Sequence, residues 1–225
     1  MDSLPGYYRR LPVYVVIDTS GSMSGEPIQA MEAGLRSLQA DLMTDPQALE
    51  TVWISVITFD STAQQIVPLV DIEEFDVPVL EAQGATAFGE ALELLMESID
   101  LEVRKTSETQ KGDWRPMAFI LTDGEPTDDW EEIAEEFKQK SPAYLIGCGA
   151  GPEADDAALN KVCDTVVHLK DTQPGTLGAF MQWVTLSVTS TSQAAGTVAD
   201  RNTVIPEFNF EAAEATSTDE QEQSE

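Results

Sequence analysis

The sequence predicts an α/β fold: a six-stranded, mostly parallel, doubly wound sheet with helices on both faces and one antiparallel edge strand. Two observations predict it. Apolar runs of strand length alternate along the chain with segments of helical period, the pattern of a sheet wrapped on both sides. Val13-Tyr14-Val15-Val16-Ile17 and Val52-Trp53-Ile54-Ser55-Val56-Ile57 are almost continuous apolar runs. Strands covered on both faces read this way, whereas a half-solvated sheet would alternate polar and apolar residues.

The strands are expected at residues 13–18 (just after Pro12), 51–60, 64–70, 117–122, 143–147 and 165–169. Between the second and third lies only the turn Asp60-Ser61-Thr62-Ala63. That length permits a hairpin but no crossover helix, so residues 64–70 should run antiparallel at an edge. Pro68 agrees, since an edge strand tolerates a missing donor. Four helical stripes follow the 3.6-residue period: Ile28, Met31, Leu35, Leu38 and Leu42, with Pro27 placed for a first turn; Phe88, Leu92, Leu95 and Ile99; Trp130, Ile133, Ala134 and Phe137; and Leu177, Phe180, Met181, Val184 and Val188. A weaker helix is expected over 153–162. All of these stripes are read as core packing.

With 225 residues the chain can hold one α/β domain with a well-buried core. Its 12 Lys and Arg against 41 Asp and Glu give a net charge of −29. That balance excludes nucleic acid and anionic membrane surfaces as primary partners, because both select basic patches. It is compatible with cation binding and high solubility. The first residues show no charged-then-apolar signal pattern, and no stretch approaches the ~20 apolar residues of a membrane span. Cys148 and Cys163 fall on or near buried elements and are read as reduced thiols. The expectation is a cytoplasmic protein. Residues 1–190 are expected to form the domain and 191–225 an acidic, flexible tail, since 207–225 carry seven acidic residues and no basic one. Such a segment buries too little apolar surface to offset its ordering entropy. Within it, Val204-Ile205-Pro206-Glu207-Phe208-Asn209-Phe210 is an apolar island suited to docking on the domain or on a partner.

The residues that carry chemistry begin at Asp18-Thr19-Ser20-Gly21-Ser22, where the first strand ends. One carboxylate and two hydroxyls at alternate positions form a set of hard oxygen donors, which suit Mg²⁺ better than a soft metal. Two further loops strengthen the signal. Thr86 lies in Gln83-Gly84-Ala85-Thr86-Ala87-Phe88-Gly89 before a predicted helix, and Asp123 in Leu121-Thr122-Asp123-Gly124-Glu125 after a predicted strand. Right-handed crossovers bring all three loops to the carboxyl edge of the sheet, where open α/β folds place their ligands. Each residue also has a plainer role available: Asp18 and Thr86 as caps, Asp123 in a local turn. Three such accidents at three matching positions are much less economical than one site.

On these residues the sequence resembles the von Willebrand factor type A (vWA) family over roughly residues 10–190. Asp18, Ser20 and Ser22 match its Asp-x-Ser-x-Ser element, Thr86 its loop threonine and Asp123 its Thr-Asp-Gly aspartate. In that family these positions form the metal-ion-dependent adhesion site. The resemblance implies a doubly wound, Rossmann-like vWA fold. It implies Mg²⁺ (or Mn²⁺ or Ca²⁺) at the site and a protein partner offering an Asp or Glu carboxylate to it. Thr58-Phe59-Asp60, the run Gly84 to Leu92 and the run Leu121 to Asp128 are similar to the bacterial tellurium-resistance TerY branch. That likeness implies a non-catalytic adaptor in a stress-resistance or defence-type system, associated with a protein kinase and a metal-dependent phosphatase. Ala85 departs from the pattern, standing where a second glycine is usual; it adds a methyl group and removes no ligand.

The competing class is a Mg²⁺-dependent phosphohydrolase. It wants a second carboxylate or a second metal beside its nucleophile, and Ser20 stands where that carboxylate would be. His168, the one histidine, is far in sequence from these serines and is read as structural. Gly147-Cys148-Gly149-Ala150-Gly151 lacks the Lys-Ser/Thr of a phosphate loop and is read as close packing after a strand. Trp130 is read as core or as a contact at the site rim. Arg104, Lys105, Lys111 and Arg115 share one loop, expected to be solvated at the end of the sheet opposite the site.

Overall fold

A computed structural model describes residues 9–108, 110–195 and 203–208. The elements run β1 (Leu11–Asp18), α1 (Glu26–Leu42), α2 (Pro46–Thr51), β2 (Val52–Phe59), β3 (Ala63–Asp71), α3 (Phe88–Glu102), β4 (Met117–Thr122), α4 (Glu131–Lys140), β5 (Tyr144–Ala150), α5 (Asp156–Val162), β6 (Thr165–Leu169) and α6 (Pro174–Ala195). They build one six-stranded sheet in the order β3-β2-β1-β4-β5-β6. All pairs are parallel except β2 with β3, which is antiparallel and puts β3 at the edge, as the short Asp60–Ala63 turn requires. Pro68 falls where the β2–β3 register shifts, an irregularity that accommodates a residue without an N–H.

The pleat of β1 divides the core. Val13, Val15 and Ile17 face the layer of α1, α2 and α6; Tyr14 and Val16 face that of α3, α4 and α5. Each helix presents its stripe to the sheet. Met31, Leu35, Leu38 and Leu42 of α1 and Leu177, Phe180, Met181, Val184 and Val188 of α6 are buried. Each such side chain contributes about 1.5–3 kcal/mol relative to solvent exposure. Gly34 lets α1 and α6 approach closely, because a Cβ there would run into Met181.

Several boundaries differ from the sequence reading. The helix α2 was not expected: six residues are too few to show a period, and it is started by Asp45, whose carboxylate accepts the Ala48 N–H at 2.8 Å. β5 continues to Ala150, so the glycine-rich run is largely strand rather than a loop after one. Its glycines make room for α5, since a Cβ on Gly147 would lie 2.7 Å from Cys163 Sγ. α5 starts at Asp156, not at 153, because Asp155 accepts the Ala157 and Ala158 N–H groups. α6 runs past 190 to Ala195: Thr185 and Ser187 return their hydroxyls to carbonyls one turn back, and buried Ser192 meets Thr51 at 2.8 Å. Small polar residues thus pack where an apolar period has ended. The mobility expected of residues beyond about 196 lies outside the described residues, except for 203–208, which pack against α6.

Cys148 and Cys163 are free and buried, and burial pushes both thiols up from their ordinary pKa. His168 lies on the edge strand β6 and pairs with Asp156 at 2.8 Å. The basic loop sits at the amino end of the sheet, and Arg104, Lys105, Lys111 and Arg115 are all exposed. Arg104 stacks over Trp53, and Arg115 lies over Tyr144 and donates to Ala143 O. Beside them Arg10 forms a buried pair with Asp113. No helix among the described residues is long and apolar enough to cross a membrane.

Candidate metal centre

The strand order reverses between β1 and β4: the chain leaves β1 toward β2 on one side and enters β4 on the other. Connections that diverge there leave a crevice at the carboxyl ends of the two strands, the usual ligand position in this topology. Asp18 ends β1, and Thr122 ends β4 with Asp123 directly after it. Ile17 pairs with Leu121, so the next residues, Asp18 and Thr122, are neighbours.

Asp18 is completely buried. One carboxylate oxygen accepts the Ser20 N–H at 2.7 Å and the other accepts the Thr122 hydroxyl at 2.6 Å. Ser20 and Ser22 place their hydroxyl oxygens 3.0 Å apart, and Ser22 donates to Asp123 at 2.7 Å. Four of the five residues singled out from the sequence therefore form one connected chain from β1 to β4. Thr86 comes from the third loop. Its hydroxyl faces the Asp123–Gly124 turn, where a Cβ on Gly124 would lie 3.5 Å from Oγ1. The loop carrying Thr86 is tied to the first by Gly21 N–H to Gly84 O at 3.2 Å and Gln83 N–H to Thr19 O at 2.8 Å.

Other residues, not singled out from the sequence, hold these five in place. Thr86 and Thr127 exchange two bonds: the Thr86 N–H donates to Thr127 Oγ1 at 3.1 Å, and the Thr127 N–H donates to Thr86 O at 2.9 Å. Asp128 accepts the Gly89 and Glu90 N–H groups, satisfying the open first turn of α3 where Ala87 cannot cap it. Gly84 sits at φ +75°, and a Cβ there would collide with Ser61 Oγ, which accepts the Ala85 N–H. Thr122 was not singled out, although its place at the end of the strand before Asp123 was a usable signal; Thr127 and Asp128 ended the family-like run without a role being read for them.

Burial raises the Asp18 carboxyl to about 6; hydrogen bonds from Thr122 and Ser20 oppose the shift and the Asp123 charge adds to it. Asp123 is also raised by burial, against the Ser22 hydrogen bond. None of the ion pairs among the described residues involves either carboxylate. Two carboxyls are thus drawn out of water side by side, with hydroxyls for company and no cationic side chain paired to them. Among the described residues no group of three or more His, Cys, Asp and Glu gathers as a metal cage. A cation here would draw on three neutral hydroxyls and two carboxylates, all hard oxygens. Trp130 is buried against Phe88, with Lys161 over its ring, and so is core.

The family model of the von Willebrand factor type A domain matches residues 13–173. The chain belongs to that family. Comparison with curated proteins returns no match. Among solved structures, the vWA domain is similar to a von Willebrand factor type A protein from Catenulispora acidiphila, with 21% identity and a TM-score of 0.60 over 80% of this chain and 43% of that one. It is similar to proximal thread matrix protein 1 from the mussel byssus, whose metal-ion-dependent adhesion site was solved occupied by zinc, with 19% identity, a TM-score of 0.57, and 82% and 46% of the two chains covered. The PilB minor pilin from Streptococcus sanguinis gives 12% identity and a TM-score of 0.64 over 87% of this chain and 65% of its own. At these identities the likeness is one of fold. This chain spans less than half the length of the first two.

Proposed function

We propose that this vWA domain is a non-catalytic protein-binding module that captures a partner carboxylate through a divalent cation held by Asp18, Ser20, Ser22, Thr86 and Asp123. The observation that carries the reading is the pair of buried carboxyls, Asp18 and Asp123, joined through the Ser20 backbone N–H and the Ser20 and Ser22 hydroxyls at the switch point of the sheet. In the absence of a cation, ionising both is costly, because burial and mutual repulsion act together. The donor set fits a hard dication, and Mg²⁺ is the first choice, with Mn²⁺ or Ca²⁺ as alternatives. The zinc-occupied site of the mussel vWA protein supports a divalent ion at this position of the fold.

Such an ion supplies Lewis acidity toward a ligand carboxylate. The chain's own residues do the rest. Asp18 and Asp123 provide anionic charge from within, directly or through water, while the neutral hydroxyls of Ser20, Ser22 and Thr86 add none, so the ion keeps Lewis acidity at its open position and an acidic ligand is attracted. Ser22 is exposed and marks the mouth of the site, whereas Asp18, Ser20, Thr86 and Asp123 are buried.

The TerY-like wording of the site loops extends the proposal. The partner would be a component of a tellurium-resistance, stress or defence-type system in a bacterial cytoplasm, with a protein kinase or a metal-dependent phosphatase as the candidates. A pull-down with wild type and Asp18→Ala, with and without EDTA, tests the reading. Retention of the same proteins by wild type in Mg²⁺ alone supports it; equal retention in EDTA contradicts it. Hydrolysis of a phosphate ester by the pure protein in Mg²⁺, lost in Asp18→Ala, would favour the phosphohydrolase alternative.

A further inference from the structure

The apolar island at residues 204–210 is not absorbed by the metal site, and its described part lies on α6 in an ordered way. Trp183 is almost fully buried and its indole N–H donates to Pro206 O at 2.8 Å. Thr191, two turns later, holds one residue by both backbone groups: its hydroxyl donates to Val204 O at 3.1 Å and accepts the Val204 N–H at 3.0 Å. Phe208 meets the Trp183 ring edge-to-face at 5.5 Å, and Ile205 and Phe208 both pack on the core. From Thr191 back to Trp183 is eight helical residues, about 12 Å. Residues 204 to 208 cover the same distance only if nearly extended, at about 3.3 Å each. The segment therefore runs antiparallel to α6 as an extended strap.

These contacts have the character of peptide recognition. The hydrogen bonds go to the strap's main chain, which any sequence offers. Selectivity rests on the inward Ile205, Pro206 and Phe208, while Val204 and Glu207 point to solvent. Trp183 brings a large aromatic surface and a donor that needs an acceptor once buried. It is itself braced edge-to-face on Phe119 of β4.

We propose that the outer face of α6 is a peptide-binding groove for an extended Ile-Pro-x-Phe segment, filled in cis by residues 204–208 and able to take the same segment supplied in trans. Tethering gives the cis segment an effective concentration in the millimolar range, so it excludes a free peptide of equal intrinsic affinity. Disabling the strap exposes the groove. This site is separate from the metal centre and does not depend on it.

The test uses the full chain and a synthetic peptide of residues 203–210. In the Ile205→Ser/Phe208→Ser protein the strap loses its anchors, and calorimetry should show saturable peptide binding. Wild type should bind the same peptide at least about tenfold more weakly, because its groove is occupied. A peptide with Phe208→Ser should not bind, and adding Thr191→Val to the strap variant should weaken binding about fivefold or more. If the double variant unfolds, Phe208→Ser alone carries the same comparison with a smaller perturbation. Equal binding by wild type and a folded strap variant would place the peptide elsewhere and overturn the proposal. So would the absence of binding to a strap variant whose circular dichroism and melting are native-like.

Discussion

Asp18→Asn should make the metal-free protein more stable, which is unusual for a change at a fully buried polar residue. The Asp18 carboxyl is raised to about 6 in the fold, against an ordinary value of 3.8. Holding it ionised at pH 8 costs about 3 kcal/mol by linkage, since each pKa unit is worth 1.36 kcal/mol. Because the folded value lies above the unfolded one, the cost is absent well below about pH 4, grows between about 4 and 6, and is complete above that. Asparagine removes the charge and keeps the side-chain shape. Its carbonyl can accept the Ser20 N–H, but where the carboxylate accepted the Thr122 hydroxyl its NH₂ can only donate to Thr122 Oγ1, so that hydroxyl must turn its proton away. Charge-assisted bonds are replaced by weaker neutral ones, so the expected net gain is about 1–3 kcal/mol. For a domain of this size that is a rise in Tm of roughly 3–10 °C. The assay is thermal or urea unfolding in EDTA at pH 8 and pH 5. At pH 5, where most Asp18 is already protonated in the fold, the gain should be about 1.4 kcal/mol smaller. Saturating Mg²⁺ should stabilise wild type by about 1.4 kcal/mol or more beyond what it adds to Asp18→Asn. Destabilisation by Asp18→Asn in EDTA, or a gain independent of pH, would refute the reasoning.

Thr122→Val removes the donor that holds one Asp18 oxygen; Mg²⁺ affinity by calorimetry should drop about 10–100-fold, as losses of supporting contacts around a metal typically do. Leu35→Ala should cost about 2–5 kcal/mol in urea unfolding by opening a cavity between α1 and the sheet, with the metal stoichiometry unchanged in the folded protein. Gly84→Val should lower Mg²⁺ affinity and cost about 1–3 kcal/mol, since φ +75° and the Ser61 contact both penalise a branched side chain; affinity at the wild-type level would show that this loop does not set the position of Thr86.

What the sequence disclosed depended on how local the signal was. The strands β1, β2 and β4 read clearly because both their faces are apolar, and β3 because a turn as short as Asp60–Ala63 leaves no alternative to an antiparallel edge. The three site loops were legible because each ligand stands at a strand end or helix start, and topology alone brings such ends together. The extension of β5 was hidden, since Gly147 and Gly149 read as loop residues while their actual role is to let α5 lie against the strand. The last turns of α6 were hidden too, because Thr191 and Ser192 satisfy their hydroxyls on Val204 and Thr51 and so are buried like small apolar residues. The strap residues stood out as an apolar island, but their position over Trp183 is a long-range fact with no trace in the local pattern. Thr127 and Asp128 fell inside the run that resembles the family, but their roles, holding Thr86 and capping α3, show only once the loops are folded onto each other.

The most direct test is calorimetric titration of Mn²⁺ and Mg²⁺ into metal-stripped wild type and Asp18→Asn at pH 7.5, each folded by circular dichroism. The account predicts one equivalent bound by wild type, about 10-fold or more weaker binding in Asp18→Asn, and competition by protons as the pH falls toward 6. No heat of binding at millimolar ion, or equal binding by both proteins, would contradict it.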